Sequence, residues 1–494
     1  PRTDFNAQER SRSIVESALL KEGLKIYGWR HVPINTKVIG EKAKITRPEI
    51  EQILIRNDIY ENEKEFETKL YIIRKRIENQ IRKENINEFY ICSLSCRTII
   101  YKGLFLAEQL SSFYPDILDK RFISKFAIYH QRYSTNTFPT WSLAQPFRVL
   151  AHNGEINTLK GNKNWMSAHE PRLQHKNFKE FIDDLKPIIN YNDSDSAALD
   201  STMELLVHAD RSLPMAKLMM IPEAWAHRRD FSTKIKNLYA YANAVMEPWD
   251  GPAAICAVHD EWVIAGMDRN GLRPLRYTIT EDYLIAGSET GMVEIEETKI
   301  KEKGRVGPGQ MIAINFDQTK LYKDKDLKLY LASSKPFSTW TKKITHIDKL
   351  MQSAEEHFRD IDKAELRKRM TAFGWTVEDL ELILQPMIVE QKEAVGSMGD
   401  DTPLAVLSDK YRGLHHFFRQ NFSQVTNPPI DSLREKVVMS LRTRIGHLSN
   451  ILDENEHQCD HLQLGSPILS INQFKTLRQY MGGSVKIIDT TFDK

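Results

Sequence analysis

The chain has 494 residues, 41% hydrophobic and 28% charged, with 69 lysines and arginines against 67 aspartates and glutamates and a formal net charge of +2. That length exceeds one ordinary core and predicts two or three domains, while the near balance of charge excludes nucleic acid or an anionic membrane as a principal partner. No apolar run reaches the length of a membrane span, and four scattered cysteines, Cys92, Cys96, Cys256 and Cys459, fit a reducing, cytoplasmic setting and exclude a disulfide framework.

Residues 8–23 have helical spacing and end at a glycine stop. The segment from Leu24 to Pro33 reads as a strand running into a turn. Residues 62–84 form a long charged amphipathic helix with Phe66, Leu70, Ile73 and Ile77 on one stripe. Glutamates interleaved with its basic residues predict a solvated opposite face. Four short apolar runs then read as strands: FYICSLS at 89–95, RTIIYKG at 97–103, KFAIYHQRYS at 125–134 and FRVLAHN at 147–153. Helices are expected at 162–170, 195–208 and 233–246. Four alternating runs between 253 and 290 read as an antiparallel meander, which a Gly/Pro turn and one further strand close by residue 316. Strands, then helices, then strands fit an α+β fold of two antiparallel sheets with helices outside.

Residues 322–350 are lysine-rich and weakly periodic, which predicts a surface excursion or connector. From 351 to about 396 the chain is helical in character, with Thr376 and Asp379 marking a helix start. A different unit begins after Gly396 and runs to a strand at 485–492. The chain opens at Pro1 without an initiator methionine or a signal-peptide pattern, and it is expected to be a fragment of something longer.

The chemistry concentrates between His130 and Thr158. Arg132 lies near the end of one apolar run, and the next run ends in His152-Asn153-Gly154. An arginine is a planar fork suited to a carboxylate. An Asn side chain followed by a Gly backbone N–H supplies two donors to one oxygen anion. Side by side on strand ends, these predict acyl transfer on an amino-acid-like substrate, with no nucleophile near them in sequence. Each residue also has an ordinary reading. Arg132 serves equally as half of a structural ion pair, Asn153-Gly154 as a hairpin turn, Asp195 as part of a helix start, and His152 as a strand-end histidine filling core. Cys92 and Cys96 have no second Cys or His group at matching spacing, so no metal site is expected.

Several motifs resemble the glutamate synthase family. They are HQRYSTNTFPTW with AQPFRVLAHNGEINTLKGN between 130 and 162, NDSDSAALD at 192–200, MEPWDGPAAI at 246–255 and DRNGLRPLRY at 268–277. GRVGPGQMIAI from 304, GSMGDDTPLAVLS at 396–408 and QVTNPPIDSLREKVVMSL at 424–441 resemble it too. The resemblance covers nearly the whole chain. It implies an N-terminal-nucleophile hydrolase-type αββα sandwich of antiparallel sheets, then a helical connector and the beginning of an α/β central domain. The divisions would be 1–321 for a class II glutamine amidotransferase domain lacking its first strands, 322–395 for the connector and 396–494 for the incomplete central domain.

By this resemblance Arg132 and Thr135 bind the glutamine α-carboxylate, Asp195 holds the α-ammonium, and Asn153 and Gly154 form the oxyanion hole. The nucleophile would be a processed cysteine upstream of Pro1 whose α-amino group acts as base, so this chain alone is expected to be inactive. Ammonia would pass to 2-oxoglutarate for reductive glutamate synthesis. No cofactor is expected in this span; FMN and an iron–sulfur cluster would belong to a C-terminal part outside it. The implied partners are glutamine, a small electron-donating subunit and further copies in a homo-oligomer. The alternative is a non-catalytic glutamine-binding or scaffold module of the same fold.

Overall fold

A computed structural model of the chain describes residues 3–133, 138–351, 361–391, 405–418, 435, 437–446, 448–484, 486 and 488. It divides into two compact units, one of Pro1–Thr345 with Gly446–His461 and one of His346–Ile445 with Leu462–Lys494.

The first unit opens with α1 (Phe5–Lys21), capped where the Asp4 carboxylate accepts from the Ala7 N–H. Next come β1 (Lys25–His31), the short α2 (Glu41–Thr46) and β2 (Glu51–Arg56), with β1 and β2 paired antiparallel. The long helix α3 (Glu63–Lys83) buries the expected stripe of Phe66, Leu70, Ile73 and Ile77 against Leu19 of α1 and against Trp29, Ile53 and Ile55 of the hairpin. Its opposite face is not solvated as expected. Tyr71 and Ile72 enter the main core, and Arg74 and Lys75 are buried. Buried charges need partners. Arg74 finds Glu78 at 2.7 Å and Glu204 at 2.5 Å, and Lys75 donates to the Pro187 carbonyl at 2.9 Å.

Residues 89–103 and 125–133 form no strand, contrary to expectation. β-propensity is expressed only against a pairing neighbour, and no described strand is paired with them. After the short α4 (Leu110–Phe113) the chain builds β3 (Leu150–Gly154), α5 (Leu159–His169), α6 (Asp195–His208), α7 (Leu213–Met220) and α8 (Thr233–Val245). All but α7, which was not expected, lie close to the expected positions. The meander follows as β4 (Ala253–His259) and β5 (Trp262–Met267). The chain then leaves to form β6 (Arg276–Ile279), β7 (Leu284–Gly287) and β8 (Glu302–Arg305), and returns as β9 (Met311–Asn315) and β10 (Lys320–Tyr322).

Two antiparallel sheets result, one ordered β10-β9-β5-β4-β3 and one ordered β7-β6-β8. Strand residues alternate between faces. Ala253, Ile255, Ala257, Ile264, Met311 and Ala313 face a large core with Leu199, Leu206, Leu218 and Leu238 from the helices. Ala254, Ala265, Met267 and Ile312 face the second sheet through Tyr277, Leu284 and Ala286. Helices, sheet and sheet are therefore stacked in that order.

Residues 322–345 are not a surface excursion. In α9 (Asp324–Ala332) Leu327 and Leu331 are buried, as is Phe337 beyond it. Lys328 is only 1% exposed, in contact with Glu223 and 2.8 Å from Asp324.

The second unit carries helices at Lys363–Ala372, Gln385–Glu390 and Ile471–Met481. A small core joins Ile347, Leu462 and Leu464 to Leu350, Ile445, Leu469 and Leu477. The helix-start signal is present: the Thr376 N–H and hydroxyl donate to the Asp379 carboxylate, and the Asp379 N–H donates back to Thr376 Oγ1. Nearly all of the strand expected at 485–492 lies outside the described residues. Among the described residues no helix is long and apolar enough to cross a membrane.

Candidate functional site

The site grows from the end of β3. An Asn153-Gly154 hairpin turn is ruled out by register, because both residues are still paired with β4, Asn153 opposite Ala254 and Gly154 opposite Ala253. In an antiparallel ladder the N–H and C=O of a residue point to the same side, and the side alternates along the strand. The Val258 N–H donates to the Val149 carbonyl at 2.9 Å, and the Glu155 N–H to the Pro252 carbonyl at 3.0 Å. Val149, Ala151, Asn153 and Glu155 therefore face β4, while Leu150, His152 and Gly154 face away from it.

Gly154 is required at its position. Its φ is +146°, and a Cβ built there would lie 1.7 Å from the Pro252 carbonyl oxygen. On the β4 side of the crossing, Gly251 has φ +153°, and a Cβ there would lie 1.9 Å from the Glu155 oxygen. Two glycines thus let the chains cross closely, and the Gly154 amide is left turned to the open side.

That side is a cavity of about 1580 Å³. Arg132, Asn153 and Gly154 all line it, as do His130, Gln145, His152, Ser196, Cys256 and Arg273. Arg132 and Asn153 are exposed. Asp195 does not line the cavity: as the first residue of α6 its carboxylate accepts from the Ile156 N–H at 3.0 Å and the Ser196 N–H at 2.7 Å. It thereby ties the helix start to the loop after β3. Thr135 lies outside the described residues.

His152 is buried and its ring Nδ1 is 2.9 Å from Ser196 Oγ. Ser196 Oγ in turn is placed to donate to Asp195 at 3.2 Å. Burial pushes the His152 imidazole down to about 4, so it is neutral near pH 7. His130 is also held below its ordinary value by burial. Cys256 sits mid-strand, and burial pushes its thiol up to about 11, far from the thiolate that nucleophilic attack needs.

The DRNGLRP segment proves to be a clip. The Asp268 carboxylate accepts from the N–H groups of Ala253, Asn270 and Gly271 at 3.1, 2.7 and 3.3 Å, and Arg269 pairs with Asp250 at 2.6 Å. The clip ends in Arg273, a cavity residue that sequence reasoning left without a role. Gln145 and Ser196 were missed as well. Both lie within motifs quoted above, AQPFRVLAHNGEINTLKGN and NDSDSAALD, but neither shows its role there, because each is recognised only by what it touches. Among the described residues no three His, Cys, Asp or Glu side chains come together as a metal ligand set.

Comparison with known proteins gives two family matches. Residues 2–340 match the model described as glutamine amidotransferases class-II, and residues 368–494 match the glutamate synthase central domain. The chain is similar to the NADPH glutamate synthase large chain of Azospirillum brasilense, at 60% identity over 100% of this chain and 33% of that protein. It is also similar to the ferredoxin-dependent glutamate synthase of Pyropia yezoensis, at 43% identity over 95% of this chain and 31% of that protein. The NADPH glutamate synthase large chain of Bacillus subtilis (strain 168) is 41% identical over 99% of this chain and 32% of its own length. The chain spans about a third of the length of the curated relatives it matches.

Proposed function

This chain belongs to the class-II glutamine amidotransferase family, and from that premise we propose that it is the glutamine-hydrolysing portion, with the start of the central domain, of a glutamate synthase large chain. The reaction is hydrolysis of glutamine to glutamate and ammonia, with the ammonia passed to 2-oxoglutarate for reductive formation of a second glutamate. One observation carries the reading of the site: a guanidinium, a carboxamide and a backbone N–H turned away from the ladder line the same cavity.

In this reading Arg132 takes the substrate α-carboxylate as a planar fork, with Thr135 as a second donor. Asp195 does not line the cavity, and it supplies the charge that balances the α-ammonium from behind Ser196. The side-chain amide carbon then lies at the end of β3. A thiolate attacks that carbon, and the negative charge that forms on the amide oxygen falls to the Asn153 side chain and the Gly154 N–H. Collapse, with the proton taken from the thiol delivered by the nucleophile's α-amino group to the departing nitrogen, expels ammonia and leaves a glutamyl thioester, which water hydrolyses to glutamate and the free thiol. We assign the thiolate to a cysteine outside these 494 residues, because Cys256 has a thiol displaced upward and a backbone amide in place of a free amine.

FMN and an iron–sulfur cluster, which likeness to the glutamate synthases implies, are assigned to the rest of the protein. A small electron-donating subunit, self-association and a cytoplasmic location complete the proposal. The test is glutamine-dependent ammonia release by the full-length enzyme. Arg132→Ala should raise the glutamine KM sharply, as loss of a ground-state clamp requires. An unchanged KM sinks the assignment of the clamp. Glutamine binding without any ammonia release would instead identify a binding module.

A further inference from the structure

β3 ends the five-stranded sheet in its order. The backbone groups that it turns away from β4 must therefore find partners other than a neighbouring strand. Leu150 does so locally: its N–H donates to the Asp200 carboxylate at 3.1 Å, and its carbonyl accepts from the Phe147 N–H at 2.9 Å. His152 finds both partners in one side chain. Its N–H donates to Gln145 Oε1 at 2.6 Å, and Gln145 Nε2 donates to its carbonyl at 3.0 Å. The carboxamide stands in for a strand. Its orientation is fixed by chemistry, because the flipped amide would set donor against donor and acceptor against acceptor.

Gln145 is itself anchored. The buried Lys102 ammonium donates to the carbonyls of Ser142 at 2.7 Å and Ala144 at 2.8 Å, and Phe147 is buried in the main core. The His152 ring is held separately at Ser196. His152 is thus fixed at backbone and side chain, and the next two residues are Asn153 and Gly154.

We propose that Gln145 is a positioning residue for the oxyanion-stabilising pair: by gripping both backbone groups of His152 it keeps the Asn153 carboxamide and the Gly154 N–H aimed into the cavity. The inference rests on the amidotransferase reading above. Donors act fully only within a narrow geometry, and a misplacement of about 1 Å costs on the order of a hundredfold in rate. The Gln145 carboxamide has both its oxygen and its nitrogen engaged with the His152 backbone, so in this proposal its effect belongs in kcat.

The test uses the full-length enzyme and two variants. In Gln145→Met both hydrogen bonds are gone at similar size. The expected result is a kcat lower by about tenfold or more with the glutamine KM within about twofold. In Gln145→Glu the carboxylate still accepts from the His152 N–H but opposes its carbonyl. Protonated, that carboxyl has one donor and one acceptor and restores both bonds. The ratio of its kcat to that of the unsubstituted enzyme should therefore rise as pH falls, while the ratio for Gln145→Met stays low and flat. His130, whose ring also bonds the His152 backbone, Arg132, His152, Glu155 and Arg273 around the cavity, Asp195 behind Ser196 and Lys102 behind Ala144 are present in all three proteins, and the Gln145→Met ratio is the control for their own titration.

A Gln145→Met enzyme with unaltered kcat, or a pH-independent ratio for Gln145→Glu, overturns the proposal. A role in stability alone would lower the melting temperature and leave that ratio flat. Should Gln145→Met fail to fold, the Gln145→Glu ratio decides by itself. Failure of the parent reading looks different: the unsubstituted enzyme would release no ammonia from glutamine, or Arg132→Ala would leave KM unchanged.

Discussion

The two faces of the five-stranded sheet are built from the same strands and used in opposite ways. Ile255, Ala257, Ile264 and Ala313 point into the helices α6, α7 and α8, where side chains such as Leu206 and Leu238 are fully buried. One residue along each strand, Ala254, Cys256, Ala265 and Ile312 point toward the second sheet. That face runs out into the cavity lined by Arg132, His152 and Arg273. The helical face is held by area removed from water, which tolerates exchange among side chains of like volume. The open face has a smaller apolar contact with the second sheet, and beside the cavity the end of β3 is held by single hydrogen bonds and by two glycines that admit no Cβ. The difference lies in what each can absorb: a substitution on the first should spread as lost stability, and one on the second should act on geometry.

The sharpest way to break this contrast is Gly154→Ala. The added carbon would lie 1.7 Å from the Pro252 oxygen, a collision with backbone that no rotamer relieves. Moving the strand end should cost more than about 4 kcal/mol and abolish glutaminase activity in the full-length enzyme. A near-normal melting temperature with full activity would show that the crossing at Pro252 is not close in solution.

Leu206→Ala tests the other face. Leu206 is 0% exposed in the helical core, so removing its side chain should lower the unfolding free energy by about 4 kcal/mol. At temperatures well below melting, kcat and KM should be unchanged. Denaturant unfolding with parallel kinetics reads both, and a kcat that fell in step with stability would show that the two faces do not act independently.

Asn153→Ala is the complement, with kcat lower by about 3 kcal/mol of transition-state stabilisation and little change in melting temperature, since Asn153 is exposed. Steady-state glutaminase assays decide it, and an unaltered kcat removes Asn153 from the oxyanion hole.

These contrasts track what could be read from the sequence. Helices α6 and α8 and the β4–β5 hairpin were legible, because a buried element writes its periodicity into its own residues. The strands expected at 89–103 and 125–133 were not found, since apolar alternation names a candidate strand without naming its partner. The packing of 322–345 was hidden for a related reason. Lys328 counts as a surface residue in any composition window, and the Glu223 that permits its burial lies a hundred residues upstream. At the site, Arg132, Asn153 and Gly154 came from residue chemistry. Gln145 did not, because a side chain that substitutes for a strand leaves no trace until the strand edge is seen.

Acid tests the helical face where it meets the cavity, through His152, which pairs with Ile255 and is bonded to Ser196 of α6. His152 is held neutral with its imidazole at about 4, and His208 and His259 are also displaced downward by burial. A base with a depressed folded value contributes stability above its unfolded value, near 6.5, and loses it as pH falls toward the folded value. For His152 the window is pH 6.5 to about 4, worth roughly 3 kcal/mol. Asp200, pushed up to about 6 by burial first and by Glu204 second, runs the other way and offsets part of the loss. Unfolding free energies measured at pH 7 and pH 5 should fall with acid, and His152→Gln should flatten that slope. A slope untouched by the substitution would place the His152 ring in water.

The smallest effect joins the two faces. α6 is buried along most of its length, yet its first turn reaches the cavity through Ser196. Ser194 caps it by accepting from the Ala197 N–H at 3.2 Å. Ser194→Ala should cost about 1 kcal/mol, the usual worth of such a cap. The helix has little freedom to fray in response, because Leu199, Met203 and Leu206 fix it in the core, and Asp195 still ties its first turn to the Ile156 N–H. The Ser196–His152 contact should therefore survive and kcat should hold, with only a small drop in melting temperature. A kcat loss larger than that drop explains would mean that the helix start, and not the packed helix beneath it, sets the position of His152.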